Sequence, residues 1–173
     1  MDREGFGRRD LEVDPHTLAQ QIVQQIAALR IGAGLEHGVV GYVKPHGALY
    51  NRAAVDRVYA DAVVTAIASV DRHLTLLGPP DSELLRAAAD HGIEGVAEGF
   101  ADRGYRPDGT LAPRDEPGSV LTLEQALDQA VRLAGDGRFR SLCIHSDTPG
   151  AADLAIAIRN RLIGAGFEIR PFA

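Results

Sequence analysis

Val39-Val40-Gly41-Tyr42-Val43-Lys44-Pro45-His46-Gly47-Ala48-Leu49-Tyr50-Asn51 is the stretch from which the fold is read. Its apolar opening predicts a short buried strand over 39–44. Lys44, Pro45 and His46 follow at once, and Gly47 lets the backbone turn before a helix begins. In an α/β sheet, groups that leave the carboxyl end of a strand point into the crevice where ligands bind. Proline fixes the backbone on one side of His46 and glycine frees it on the other, which holds the imidazole at a defined angle. A lone histidine near a strand end is also often a satisfied polar residue and no more. The company of Lys44, Tyr50 and Asn51 favours a site.

Outward from this stretch, the 173-residue chain alternates helices and strands. Asp14-Pro15 is a cap followed by proline in the first turn, and it opens a helix with Leu18, Ile22, Ile26 and Leu29 on one stripe. That helix is expected to end near Gly32 and Gly34. After the organising loop, a second helix runs through Val55, Val58, Ala62, Val63, Ala66 and Ile67. Leu74–Leu77 reads as a strand, and a helix capped near Asp81 or Ser82 carries Leu84, Leu85 and Ala88. Gly95–Glu98 is the next strand. The longest irregular segment, 99–121, contains the turn signature Pro107-Asp108-Gly109. Thr122-Leu123-Glu124-Gln125 is a capping box. A strand over 141–145 precedes a helix capped by Thr148, started by Pro149 and bearing Leu154, Ile158 and Leu162; Phe167–Arg170 is read as a last strand. Strict alternation predicts a single α/β domain over 1–173, with a parallel sheet wrapped by helices.

Composition narrows the function classes. A formal net charge of -6 without a basic run argues against nucleic-acid binding. Cys143 is the single cysteine, so no internal disulfide framework exists and a reducing compartment fits. With no apolar stretch near membrane-spanning length and no signal-peptide core at the N-terminus, the expected location is cytoplasmic.

The chemistry-bearing residues cluster at strand ends. Lys44 and His46 follow one strand, Asp102 and Arg103 another, His145 and Asp147 a third. Parallel strands place such ends on one face, so His46, Asp102 and Asp147 are expected to share a pocket. His46 with Asp147 would serve as an acid/base pair, Asp102 being the further catalytic candidate. Lys44, Arg103 and Arg114 could hold a carboxylate or phosphate, and Asn51 and His145 are further binding candidates. Bland alternatives stand beside these: Asp147 as a helix cap, Asp102-Arg103 as a loop-fixing ion pair, Cys143 as core. No close ligand motif such as H-x-x-x-H supports a metal, and no P-loop is present. Gly32-x-Gly34-x-x-x-Gly38 follows a helix, so it reads as helix termination, not as a dinucleotide fingerprint.

Gly5-Phe6-Gly7-Arg8-Arg9, Lys44–Asn51, Phe100-Ala101-Asp102-Arg103-Gly104-Tyr105, Asp108–Arg114 and His145-Ser146-Asp147-Thr148-Pro149-Gly150 together resemble the LamB/YcsF family across nearly the whole chain. The resemblance implies an irregular parallel (β/α) barrel of the glycoside hydrolase/deacetylase type. It also implies an ATP-dependent opening of the 5-oxoproline lactam to glutamate, with Mg2+, together with 5-oxoprolinase subunits B and C. Two other functions are weighed against it: a metal-dependent deacetylase or amidase of the same barrel class, and a non-catalytic interaction protein that keeps the fold. Ser146 stands where the family usually has glycine, and Gly99 where it has a more apolar residue. Family members also carry an N-terminal section with Asp-Leu-Asn-Ala-Asp-Leu-Gly-Glu and two histidine-bearing motifs. Its absence here leads us to expect a barrel incomplete at its N-terminal side, unpaired edges at 39–44 and 141–145, and self-association.

Overall fold

The computed structural model describes residues 2, 4–114, 116–147 and 150–171. It forms two compact units, one reaching to Ala97 and the other beginning at Glu98. The strands are parallel, as the alternation predicts, and hydrogen-bond in chain order.

The first unit comprises α1 (Pro15–Leu35), β1 (Tyr42–Val43), α2 (Ala48–Val55), α3 (Arg57–Val70), β2 (Thr75–Gly78), α4 (Glu83–Asp90) and the first half of β3 (Gly95–Phe100). The Asp14 carboxylate caps α1 by accepting from the Thr17 N–H at 2.9 Å. Leu18, Ile22 and Ile26 are buried as the stripe requires, but Leu29 is 60% exposed. The helix does not stop at its glycines. It runs through Gly32 and Gly34 and ends in a Schellman motif, with the His37 N–H on Gly34 O and the Gly38 N–H on Ala33 O. His37 takes the left-handed position, at φ 57°. Glycine weakens a helix interior by only about 1 kcal/mol, so it does not end a helix without a cap.

β1 is shorter than expected: Tyr42 and Val43 pair with Thr75 and Leu76, whereas Val39 is 93% exposed. The expected second helix is two. Asp56 is extended, accepts from the Val58 N–H at 3.0 Å and receives Arg52 Nε at 2.8 Å. It therefore closes α2 and caps α3, and Val55 and Val58, flanking this break, are exposed. Beyond it, α3 packs on α1, α2 and α4, burying Val63, Val64 and Ile67 with Leu74, Leu76 and Leu84. Each such fully buried side chain contributes about 1.5–3 kcal/mol. Ser82, not Asp81, caps α4, accepting from the Leu85 N–H at 3.2 Å.

The second unit holds the end of β3, β4 (Ser141–Cys143), α5 (Leu123–Gly135) and α6 (Ala151–Gly164). Glu98, Gly99 and Phe100 pair with Ser141, Leu142 and Cys143. A Cβ on Gly99 would lie 3.0 Å from the Phe139 ring and 3.1 Å from Leu133, so a larger residue there would have to displace one of these side chains. The Thr122–Gln125 capping box is present in both directions. The expected cap at Thr148 and Pro149 lies outside the described residues. Residues 167–170 are not a strand. Gly166 (φ 89°) turns the chain and the Phe167 N–H closes onto Leu162 O, so Phe167 covers the α5–α6 cluster as the apolar partner of a Schellman motif.

The segment after β3 is irregular yet ordered by its own bonds. Gly104 N donates to Ser119 O, Ala112 N to Gly104 O and Leu121 N to Asp102 O. Pro107-Asp108-Gly109 forms the expected turn, with the Asp108 carboxylate taking both the Thr110 N–H and hydroxyl. Among the described residues no helix is long and apolar enough to cross a membrane.

Candidate functional site

In the first unit, two glycine-bearing segments lock together. Gly47 has φ 62°, and a Cβ there would fall 2.2 Å from Gly7 O, the carbonyl that accepts from the Ala48 N–H at 2.8 Å. Phe6 is held at φ 53°, a conformation that costs a non-glycine residue energy and persists only where its surroundings impose it. Its carbonyl lies 3.0 Å from His46 Nε2. A carbonyl only accepts, so Nε2 carries the proton there. The Phe6 and His46 rings meet edge to face at 5.2 Å. Behind them, Asp2 accepts from the Arg9 guanidinium and the Gly5 N–H, which hold its carboxyl down to about 2. These groups border a cleft of about 490 Å³ with Leu18, Ile22 and Leu49 in its wall. Lys44 Nζ sits over the Tyr50 ring at 5.6 Å, and Asn51 is exposed on α2.

The second unit contains a carboxylate–imidazole pair. Phe100 of β3 is in register with Cys143 of β4, so two residues further on Asp102 and His145 stand level. Asp102 is 1% exposed. Its Oδ2 accepts from the His145 N–H at 2.9 Å, and both its oxygens take Nδ1 of the same residue, at 3.0 and 3.1 Å. Burial disfavours the charged carboxyl, but the hydrogen bonds from the His145 ring and amide outweigh it and hold Asp102 below its ordinary value. An ionised carboxylate can only accept, which puts a proton on Nδ1 and leaves Nε2 of neutral His145 as an acceptor. The Phe100 ring stacks on the imidazole at 5.4 Å. An imidazole held in one tautomer by a buried carboxylate can take a proton from water and return it to a leaving group.

The arginines divide by role. Arg103 is buried, its Nε on Ser119 O at 3.0 Å and an Nη on Ala112 O at 2.6 Å, so its guanidinium fastens the 103–119 loop. Burial and the nearby Arg114 charge lower its pKa. Arg114 grips Asp147 with two bonds, at 2.9 and 3.0 Å, at an exposed position. Asp147 thus faces an arginine of its own unit, and His46 a carbonyl of its own. The observed pairing is Asp102 with His145, where the sequence suggested His46 with Asp147. Both residues lie two positions past the last paired residues of adjacent parallel strands, a register that the sequence reading, with strands over 95–98 and 141–145, did not give. Sequence reasoning passed over Tyr105, whose hydroxyl accepts from the Phe100 N–H at 2.8 Å, and Gln129 on α5. Among the described residues no group of three or more His, Cys, Asp or Glu is placed to hold a metal ion.

Fold and site together define a parallel α/β protein that presents acid–base side chains at the carboxyl ends of its strands. The chain belongs to the LamB/YcsF family, whose pattern it matches over residues 1–173. It is 45% identical to the 5-oxoprolinase A subunit of Nocardia farcinica, over 99% of this chain and 73% of that protein. The 5-oxoprolinase A subunit of Streptomyces griseus is 46% identical, over 99% of this chain and 74% of its own length. In structure the chain is similar to the lactam utilization protein of Thermus thermophilus. The TM-score is 0.89 at 36% identity, covering 98% of this chain and 72% of that one.

Proposed function

We propose that this chain acts as the A subunit of an ATP-dependent 5-oxoprolinase, which opens the lactam of 5-oxoproline to L-glutamate together with subunits B and C. The observation that carries the proposal is the buried Asp102 carboxylate holding His145 with Nε2 as its acceptor. The likeness to proteins named for lactam use and for 5-oxoprolinase supplies the substrate class.

In this mechanism His145 Nε2 takes a proton from water as the water oxygen bonds to the lactam carbonyl carbon. The C–N bond then breaks, and the imidazolium returns the proton to the departing ring nitrogen. Asp102 stays ionised throughout and steadies the imidazolium. Arg114 takes the substrate carboxylate in the bidentate manner in which it now holds Asp147. The sequence has no G-x-x-x-x-G-K-[ST] loop to cradle phosphates. In this reading ATP is bound by the partner subunits, and none of the steps above passes through it.

The test is reconstitution with subunits B and C. His145→Ala should lower 5-oxoproline turnover by ~10²–10⁴-fold, the usual worth of a positioned acid/base. Calorimetry should find no tight ATP binding by this chain alone. Unchanged turnover in His145→Ala, or stoichiometric tight ATP binding by the isolated chain, would overturn the assignment.

A further inference from the structure

On the footing that Asp102 and His145 act as proposed above, we infer that Gln129 is the positioning residue of that pair, acting on it from behind through the backbone. Gln129 lies on α5, a helix fixed at its start by the Thr122–Gln125 capping box and along its length by buried Ala126, Ala130 and Leu133. Its Nε2 lies 2.8 Å from Phe100 O, 2.7 Å from Arg103 O and 3.4 Å from Ala101 O. Carbonyls only accept, so the amide nitrogen must face them. The other side of the amide agrees, since Gln129 Oε1 receives Arg132 at 3.1 Å.

The two short bonds span the chain on either side of Asp102. Phe100 ends β3, and Arg103 is the first residue past Asp102. One NH2 group with two protons therefore bridges the two ends of the turn that carries the carboxylate. The same clamp fixes Phe100, whose ring stacks on His145 and whose N–H is taken by the Tyr105 hydroxyl. Both neighbours of the imidazole, the carboxylate on its Nδ1 and the ring on its face, are thus set by one side chain that touches neither. A donor pair is needed for this, and only glutamine offers two protons at that reach in a neutral side chain of that shape. A positional error of about 1 Å in a catalytic group can cost ~10²-fold in rate.

The experiment uses the full chain in two variants, Gln129→Leu, which removes the donors, and Gln129→Glu, which keeps the shape but turns acceptors toward the carbonyls. Nitrogen-15 spectra of the imidazoles report the tautomer of His145 directly, with no other subunit required. In the unaltered chain His145 should be fixed as the Nδ1–H form. In either variant that stays folded it should become a mixture of tautomers, while His16 and His73 in the first unit keep their spectra. In the reconstituted assembly kcat should fall ~10–10²-fold with KM within about twofold. A folded variant whose His145 remains fixed as Nδ1–H, or whose kcat is unchanged, overturns the inference. Failure of the proposed function would look different, with His145→Ala fully active while the tautomer response to Gln129 persists.

Discussion

Asp102→Asn keeps the shape of the side chain and changes only what it can accept. The carboxylate now satisfies two donors of His145, the backbone N–H at 2.9 Å and Nδ1–H at 3.0 and 3.1 Å. An amide has one acceptor oxygen. Turned toward the ring, it sets its NH2 against the His145 N–H; turned the other way, it sets NH2 against Nδ1 and forces the proton to Nε2. The first choice loses one charge-assisted bond, worth about 1.5–3 kcal/mol, and strands a donor at a position 1% exposed; the second leaves no donor stranded but replaces both charge-assisted bonds by neutral ones. The sum is about 3 kcal/mol, a large part of the ~5–15 kcal/mol that holds a domain folded. For a chain of this size the melting temperature should drop by roughly 6–12 °C. Turnover in the assembly should fall ~10²-fold or more, because a ring protonated at Nε2 is no base. The pH dependence has a definite sign. The folded carboxyl lies below its ordinary value, so Asp102 stabilises the fold above the unfolded value of about 3.9. That contribution disappears as pH falls through the lower folded value. The melting-temperature gap between the parent chain and Asp102→Asn should therefore close on acidification below about pH 4. A gap that is constant with pH, or a variant with full turnover, would refute the role given to the pair.

Gly47→Ala should destabilise the first unit by at least ~2 kcal/mol, seen as a lower melting temperature and faster proteolysis of residues 5–9, because its Cβ would meet Gly7 O at 2.2 Å on a positive-φ backbone. Gly32→Ala should do the reverse, raising stability by ~0.5–1 kcal/mol in a chemical melt, since nothing lies within 4 Å of its Cβ position inside α1. Arg114→Gln should raise KM for 5-oxoproline ~10–10²-fold with kcat nearly kept, if the charge-assisted substrate contact proposed for it is lost. Its melting temperature should stay within a degree or two, because the exposed ion pair with Asp147 adds little to stability. Thr122→Ala should cost about 1 kcal/mol through the lost cap of α5, a fall of roughly 2–4 °C by calorimetry.

Local physics was legible in the residues. Asp14-Pro15, Thr122-x-x-Gln125 and Pro107-Asp108-Gly109 each satisfy backbone groups within a few positions of themselves, so their meaning does not depend on the rest of the chain. Alternating apolar runs and helical stripes likewise fixed the parallel α/β class and the place of most elements. Wherever the outcome depended on a distant partner, only the tertiary structure decided it. Val39 is as apolar as Val43, but only Val43 finds a neighbour in β2. Phe167 has strand character, yet it is drawn to Leu162 by the turn at Gly166. His46 and His145 both follow a strand. One meets the carbonyl of Phe6, a polar group that leaves it no charged partner in that bond, and the other a buried carboxylate 43 positions away. Residue type and spacing state which groups can exchange protons. Which carboxylate faces which imidazole is set by strand register, and register is a property of pairing between segments that no single stretch of sequence contains.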